Sequence, residues 1–135
     1  MQVATGSPFT AVVLDNGTRV IPSQCNNMYI FPGIGLAASV SGIRKVTDKM
    51  LIRAAEACNE SMTEEEIAEG RTFPNLKRIR EVSRNVAVAV IEEGLRGDLT
   101  TKIGKKELEE GLPHLVQRKM YNPNYHPLTS TKAHQ

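Results

Sequence analysis

Tryptophan is absent, and phenylalanine and tyrosine together make up only 4% of the 135 residues. The core must therefore be aliphatic, built mainly from Val, Ile, Leu and Ala. A hydrophobic content of 40% is enough to support about one domain. Cysteine is scarce as well. Cys25 and Cys58 are too few for a disulfide scaffold and stand in no metal-ligand spacing, so a reduced compartment is expected. His114, His126 and His134 are spaced neither as zinc ligands nor as members of a nucleophile triad. No apolar run approaches the length of a membrane span. The formal net charge of +2 is small, and Lys and Arg are mixed with Glu, which excludes nucleic acid as an expected partner. Met1 to Ser7 lack the charged start and apolar stretch of a signal peptide. The opening reads as a chain already under way, soluble and intracellular, in the cytoplasm or an organelle matrix.

What is present is organised around Cys25-Asn26-Asn27-Met28-Tyr29-Ile30-Phe31-Pro32-Gly33-Ile34-Gly35. Two side-chain amides stand side by side, with large apolar residues directly behind them. An amide tip carries both a donor and an acceptor, so it can hold a hydroxyl or a carboxylate without adding charge. A helix start just beyond favours an anion nearby. The alternative reading is a turn, for which Asn is a common residue.

Taken in order, the chain begins as loop and hairpin. Thr10 to Leu14 and Thr18 to Ile21 read as paired strands around an Asp15-Asn16-Gly17 reversal. Gly33 to Ile43 reads as a helix buried on most sides, its glycines serving close packing rather than a dinucleotide loop. Thr47-Asp48 caps a helix running to about Met62, with Leu51, Ala54, Ala55 and Cys58 as its inner stripe. Thr63 and Glu66 form a capping box opening Glu64 to Glu69, and the acidic run Glu64-Glu65-Glu66 reads as a solvated cap rather than a metal site. Leu76 to Gly94 is the longest expected helix, with Ile79, Val82, Val86 and Val90 at helical spacing. Arg78, Arg80 and Arg84 are expected on its solvated outer face. Gly97 to Ile103 reads as a loop, followed by short helical pieces over Lys105 to Gly111 and Pro113 to Met120. Tyr121 and Tyr125 could dock the last segment, and Thr129 to Gln135 is expected to be disordered.

Four segments, read together, resemble the C-terminal part of malic enzyme: Ala4-Thr5-Gly6-Ser7-Pro8-Phe9; Asn26-Asn27-Met28-Tyr29-Ile30-Phe31-Pro32-Gly33-Ile34-Gly35-Leu36; Glu69-Gly70-Arg71-Thr72-Phe73-Pro74 with Ile79-Arg80-Glu81-Val82-Ser83; and Met120-Tyr121-Asn122-Pro123-Asn124-Tyr125. The resemblance implies a mostly α piece with a short N-terminal β-hairpin, cut from an α/β Rossmann-containing enzyme. Residues 1–26 would close the dinucleotide-binding domain, 27–97 would complete the helical part of the substrate domain, and 98–135 would form a C-terminal arm that packs subunits of a homo-oligomer.

The activity implied is oxidative decarboxylation of L-malate to pyruvate and CO2, with NAD or NADP and Mg or Mn. Asn26 and Asn27 match the positions at which the family holds malate, with Asn26 slightly favoured. The family's catalytic Tyr and Lys, its acidic metal ligands and its glycine-rich loop have no counterpart here. Tyr29, Lys45 and Lys49 are therefore not promoted to those roles. Neither nucleotide nor metal is expected to bind tightly to this chain, and it is expected to be inactive by itself. The alternative reading is a non-catalytic helical interaction module.

Overall fold

A computed structural model describes residues 3–123 and shows a mostly helical chain with four very short strands. Strands β2 (Val12–Val13) and β3 (Arg19–Val20) pair antiparallel, as the Asn-Gly signal predicts. Leu14 closes the reversal by accepting from Gly17 N–H at 2.8 Å, and Gly17 takes a left-handed φ of 80° that a side chain would strain. Val12 and Val13 are both exposed.

The sequence reading missed a second pair. Strands β1 (Ala4–Thr5) and β4 (Ser23–Gln24) run parallel, so the β2–β3 hairpin is the connection between them. Two-residue strands carry no alternation to detect, and the pairing is long-range. Ser23 N–H donates to Val3 O at 2.9 Å and Cys25 N–H to Thr5 O at 2.8 Å, which fixes the backbone immediately before Asn26.

The helices are α1 (Phe31–Ser41), α2 (Asp48–Glu60), α3 (Glu64–Ala68), α4 (Ile79–Arg96), α5 (Lys105–Glu110) and α6 (Leu112–Lys119). α4 is central and packs against α1, α2 and α6. Its Val82, Val86 and Val90 are fully buried, as their spacing predicts. From the other helices the aliphatic core takes Ala37, Met50, Ala54, Leu115 and Val116.

Caps set the helix starts as expected. Thr47 accepts from Met50 N–H, and Thr63 and Glu66 form the reciprocal box. Pro113 lies in the first turn of α6.

Several expectations are corrected. α1 is buried along one stripe only, Gly33, Ala37 and Ser41, while Phe31, Gly35 and Ser39 are exposed. A Cβ built on Gly33 would meet Val86 Cγ1 at 2.5 Å and Ser83 O at 2.8 Å, so this glycine does serve close packing; around Gly35 there is open space. In α2 the inner stripe is Met50, Ala54, Ala57 and Cys58, whereas Leu51 and Ala55 are exposed.

Glu66 is a cap but not a solvated one, since it is 7% exposed. The three arginines have partners: Arg78 pairs with Glu66 at 2.9 Å and Glu81 at 2.8 Å, Arg80 donates to Tyr121 O, and Arg84 reaches Gln117 at 3.4 Å. Tyr121 is highly exposed. Tyr125, His126, His134 and Thr129 to Gln135 lie outside the described residues. Among the described residues no helix is long and apolar enough to cross a membrane.

Candidate functional site

Asn26 sits in extended backbone two residues after the end of β4 and caps a single 3-10 turn, Asn27–Tyr29. Its Oδ1 accepts from Met28 N–H at 3.0 Å, so the turn reading holds for the carbonyl end of this side chain. The Asn26 NH2 and both ends of the Asn27 amide form no side-chain hydrogen bond among the described residues. Both residues are exposed, and both line a cavity of about 180 Å³. Ile30, just before α1, lines it too.

The opposite walls come from distant parts of the chain. α2 contributes Ala55, Cys58 and Asn59, and the segment before α4 contributes Thr72 and Phe73. Asn59 adds a third amide that the sequence reading did not single out. Thr72 adds a hydroxyl that is out of solvent and has no hydrogen-bond partner among the described residues. No local pattern marks Asn59, which reaches the amide pair from α2, and Thr72 arrives from the segment between α3 and α4.

Tyr29 locks this arrangement. It is 3% exposed, its hydroxyl donates to Pro74 O at 2.6 Å, and its ring stacks on Phe73 with centroids 5.3 Å apart. Burial pushes the Tyr29 phenol above its ordinary range, with a further push from Cys58, so it stays protonated and can donate. Burial likewise raises the Cys58 thiol. Cys25 is the exposed thiol of the same cavity.

The segment opposite Tyr29 is held from behind by Glu66. Its Oε1 accepts from Asn75 N–H at 2.8 Å, and its Oε2 accepts from Thr63 N–H at 2.9 Å and Arg78 Nη1 at 2.9 Å. Burial pushes this carboxyl up. The hydrogen bonds from Thr63, Asn75 and Arg78 outweigh that effect and leave it below the ordinary carboxylate value.

This donor set is suited to orienting a bound ligand. Neutral amides, a hydroxyl and two thiols line the cavity, with a committed phenol behind them. Lys45 and Lys49 are exposed and do not line it. Among the described residues no group of three His, Cys, Asp or Glu is placed to hold a metal ion. A hard divalent cation takes carboxylate and other oxygen ligands, so this cavity does not fit Mg or Mn. Gly33, filled against by Val86, is likewise not part of a phosphate cradle.

Comparison with known proteins agrees with the residue pattern. The family profile described as "Malic enzyme, NAD binding domain" matches residues 1–95. NAD-dependent malic enzyme 1, mitochondrial, of Arabidopsis thaliana is 42% identical over 132 residues, covering 93% of this chain and 21% of the relative. NADP-dependent malic enzyme of Mus musculus is 34% identical over 122 residues, covering 90% of this chain and 21% of the relative. The chain thus spans about 21% of the length of these curated relatives. With a family profile matched over most of its length and similarity to both NAD- and NADP-dependent members, the chain belongs to the malic enzyme family.

Proposed function

We propose that this chain supplies part of the malate pocket of a malic enzyme, an oxidoreductase that converts L-malate to pyruvate and CO2. The observation that carries the reading is the pairing of Asn26 and Asn27 at one cavity, with amide groups free to bond a ligand. Malate presents carboxylates and a hydroxyl, and neutral amides can orient all of them without competing with a cation for charge. Asn27 brings a whole amide and Asn26 its NH2. The start of α1 nearby adds a favourable end of a helix dipole.

Hydride acceptance by NAD or NADP and polarisation of the substrate by Mg or Mn belong to residues outside this chain. So do the proton transfers. Residues 1–26 then close the dinucleotide-binding domain, 27–97 complete the substrate domain, and 98–135 form an arm that helps pack subunits of a homo-oligomer. Similarity to both NAD- and NADP-dependent relatives leaves either nucleotide compatible with this segment.

The test is a chimera in which this chain replaces the matching segment of the Arabidopsis enzyme. Malate-dependent reduction of the nucleotide is expected. Asn26→Ala and Asn27→Ala should each raise the malate KM about tenfold, the cost of one lost hydrogen bond to a charged group. An unchanged KM in both variants would refute the assignment. The 135-residue chain with malate, Mn and either nucleotide should give no reduced cofactor.

A further inference from the structure

We propose that Glu66 is a positioning residue for the amides of Asn26 and Asn27, acting through the Pro74–Asn75 peptide and Tyr29. The inference rests on the malate reading above. Glu66 occupies the third position of α3, where a glutamate commonly bonds back to the cap residue. That role needs one carboxylate oxygen and no burial.

Glu107 in α5 is an internal comparison. It also stands at the third helical position and accepts from Gly104 N–H at 2.9 Å, but among the described residues no donor from another element reaches it. Glu66 differs in being buried and in spending its second oxygen on Asn75 N–H at 2.8 Å.

The Asn75 N–H and the Pro74 C=O are the two ends of one planar peptide group. Glu66 holds the N–H end, and the Tyr29 hydroxyl donates to the C=O end at 2.6 Å. Fixing either end fixes the plane, so the carboxylate aims the carbonyl at the phenol. Hydrogen bonds in series polarise one another in a low-dielectric interior, which strengthens both.

Tyr29 in turn is the last residue of the 3-10 turn that Asn26 caps and Asn27 opens. Its ring also stacks on Phe73, a wall of the cavity. A rotation of the 74–75 peptide would therefore move both the amides and the surface facing them.

Glu66→Gln keeps the volume but turns an NH2 toward one of the donors. With Thr63 N–H and Arg78 Nη1 sharing one oxygen, the side-chain oxygen stays with them and the NH2 opposes Asn75 N–H. Thr63→Val is the control. It removes the hydroxyl that accepts from Glu66 N–H at 3.2 Å but leaves the carboxylate on Asn75.

In the 135-residue chain, E66Q should shift the side-chain amide NMR signals of Asn26 and Asn27, and T63V should leave them in place. In the chimeric enzyme both variants should melt earlier, whereas only E66Q should raise the malate KM. The expected rise is roughly tenfold, with kcat changed less, because misplacing a binding group acts on the bound geometry. Unmoved amide signals in E66Q would overturn the inference. So would a KM within about twofold of the parent while N26A and N27A raise theirs. If N26A and N27A leave KM unchanged, the malate reading fails instead, and the NMR shifts still decide whether Glu66 positions the amides.

Discussion

Gly33 and Gly35 lie two residues apart on α1 and should respond to the same substitution with opposite signs. In Gly33→Ala the new methyl would sit 2.5 Å from Val86 Cγ1, 2.6 Å from Val86 Cβ and 2.8 Å from Ser83 O. Two of those atoms are a branch point and a backbone carbonyl of α4, so no side-chain rotation relieves the overlap. α1 must lift off the buried valine stripe. Overpacking of this kind costs about 1–3 kcal/mol, against which replacing glycine by alanine returns at most ~1 kcal/mol of helix propensity.

Gly35→Ala meets nothing within 4 Å and keeps only the propensity gain. It should therefore stabilise the fold by about 0.5–1 kcal/mol. Urea unfolding followed by circular dichroism separates the two through the midpoint. A double variant, Gly33→Ala with Val86→Ala, should lose less than the sum of the single losses, because the two changes share one volume. A Gly33→Ala chain as stable as the parent, or a destabilised Gly35→Ala chain, would refute the packing account.

Tyr29→Phe removes the donor to Pro74 O and leaves the carbonyl of this fully buried proline without that hydrogen bond. It should cost about 1–3 kcal/mol by urea unfolding. Glu110 accepts from Arg118 and His114, and these bonds hold its carboxyl down to about 2. Because its folded value is lowered, its contribution is present above the ordinary carboxylate range and is lost as pH falls toward 2. A carbon-detected NMR titration of the Glu110 carboxyl checks this, and Glu110→Gln should flatten the acid limb of the stability profile. Iodoacetamide under native conditions should alkylate exposed Cys25 first and spare buried Cys58, as mass spectrometry of the peptides would show.

Much of the helical frame was legible because local chemistry and tertiary packing agree. Thr47 and Thr63 cap where their side chains predict, and Val82, Val86 and Val90 point inward as their spacing requires. The phase of α2 was not legible. Met50 and Leu51 are both large and apolar, and choosing one over the other rotates the stripe by about 100°. The choice is made by α4, which takes Met50 and Ala57, while Ala55 is left facing the cavity.

The β1–β4 pair and the intramolecular partners of Arg78, Arg80 and Arg84 were hidden for a similar reason. Apart from the Arg78–Glu81 pair, three residues apart, each depends on a residue well away in sequence. At the site, the amide pair was visible as a motif and its cap as a turn. The cavity was not, since Asn59 comes to it from α2 and the Glu66 bond to Asn75 forms only once α3 and the segment after it have folded together. The exposure of Phe31 shows the limit of reading burial from composition: a helix of small apolar residues can still leave one face to solvent.

The β2–β3 ribbon offers a practical handle. Its tip, Asp15 to Gly17, is exposed on every residue. Extra residues spliced between Asp15 and Asn16, with Gly17 retained for its left-handed backbone, would extend the tip and leave the helices their full set of contacts. A fluorescent label or affinity peptide could be carried there, reporting on the molecule without touching either the valine stripe or the amides.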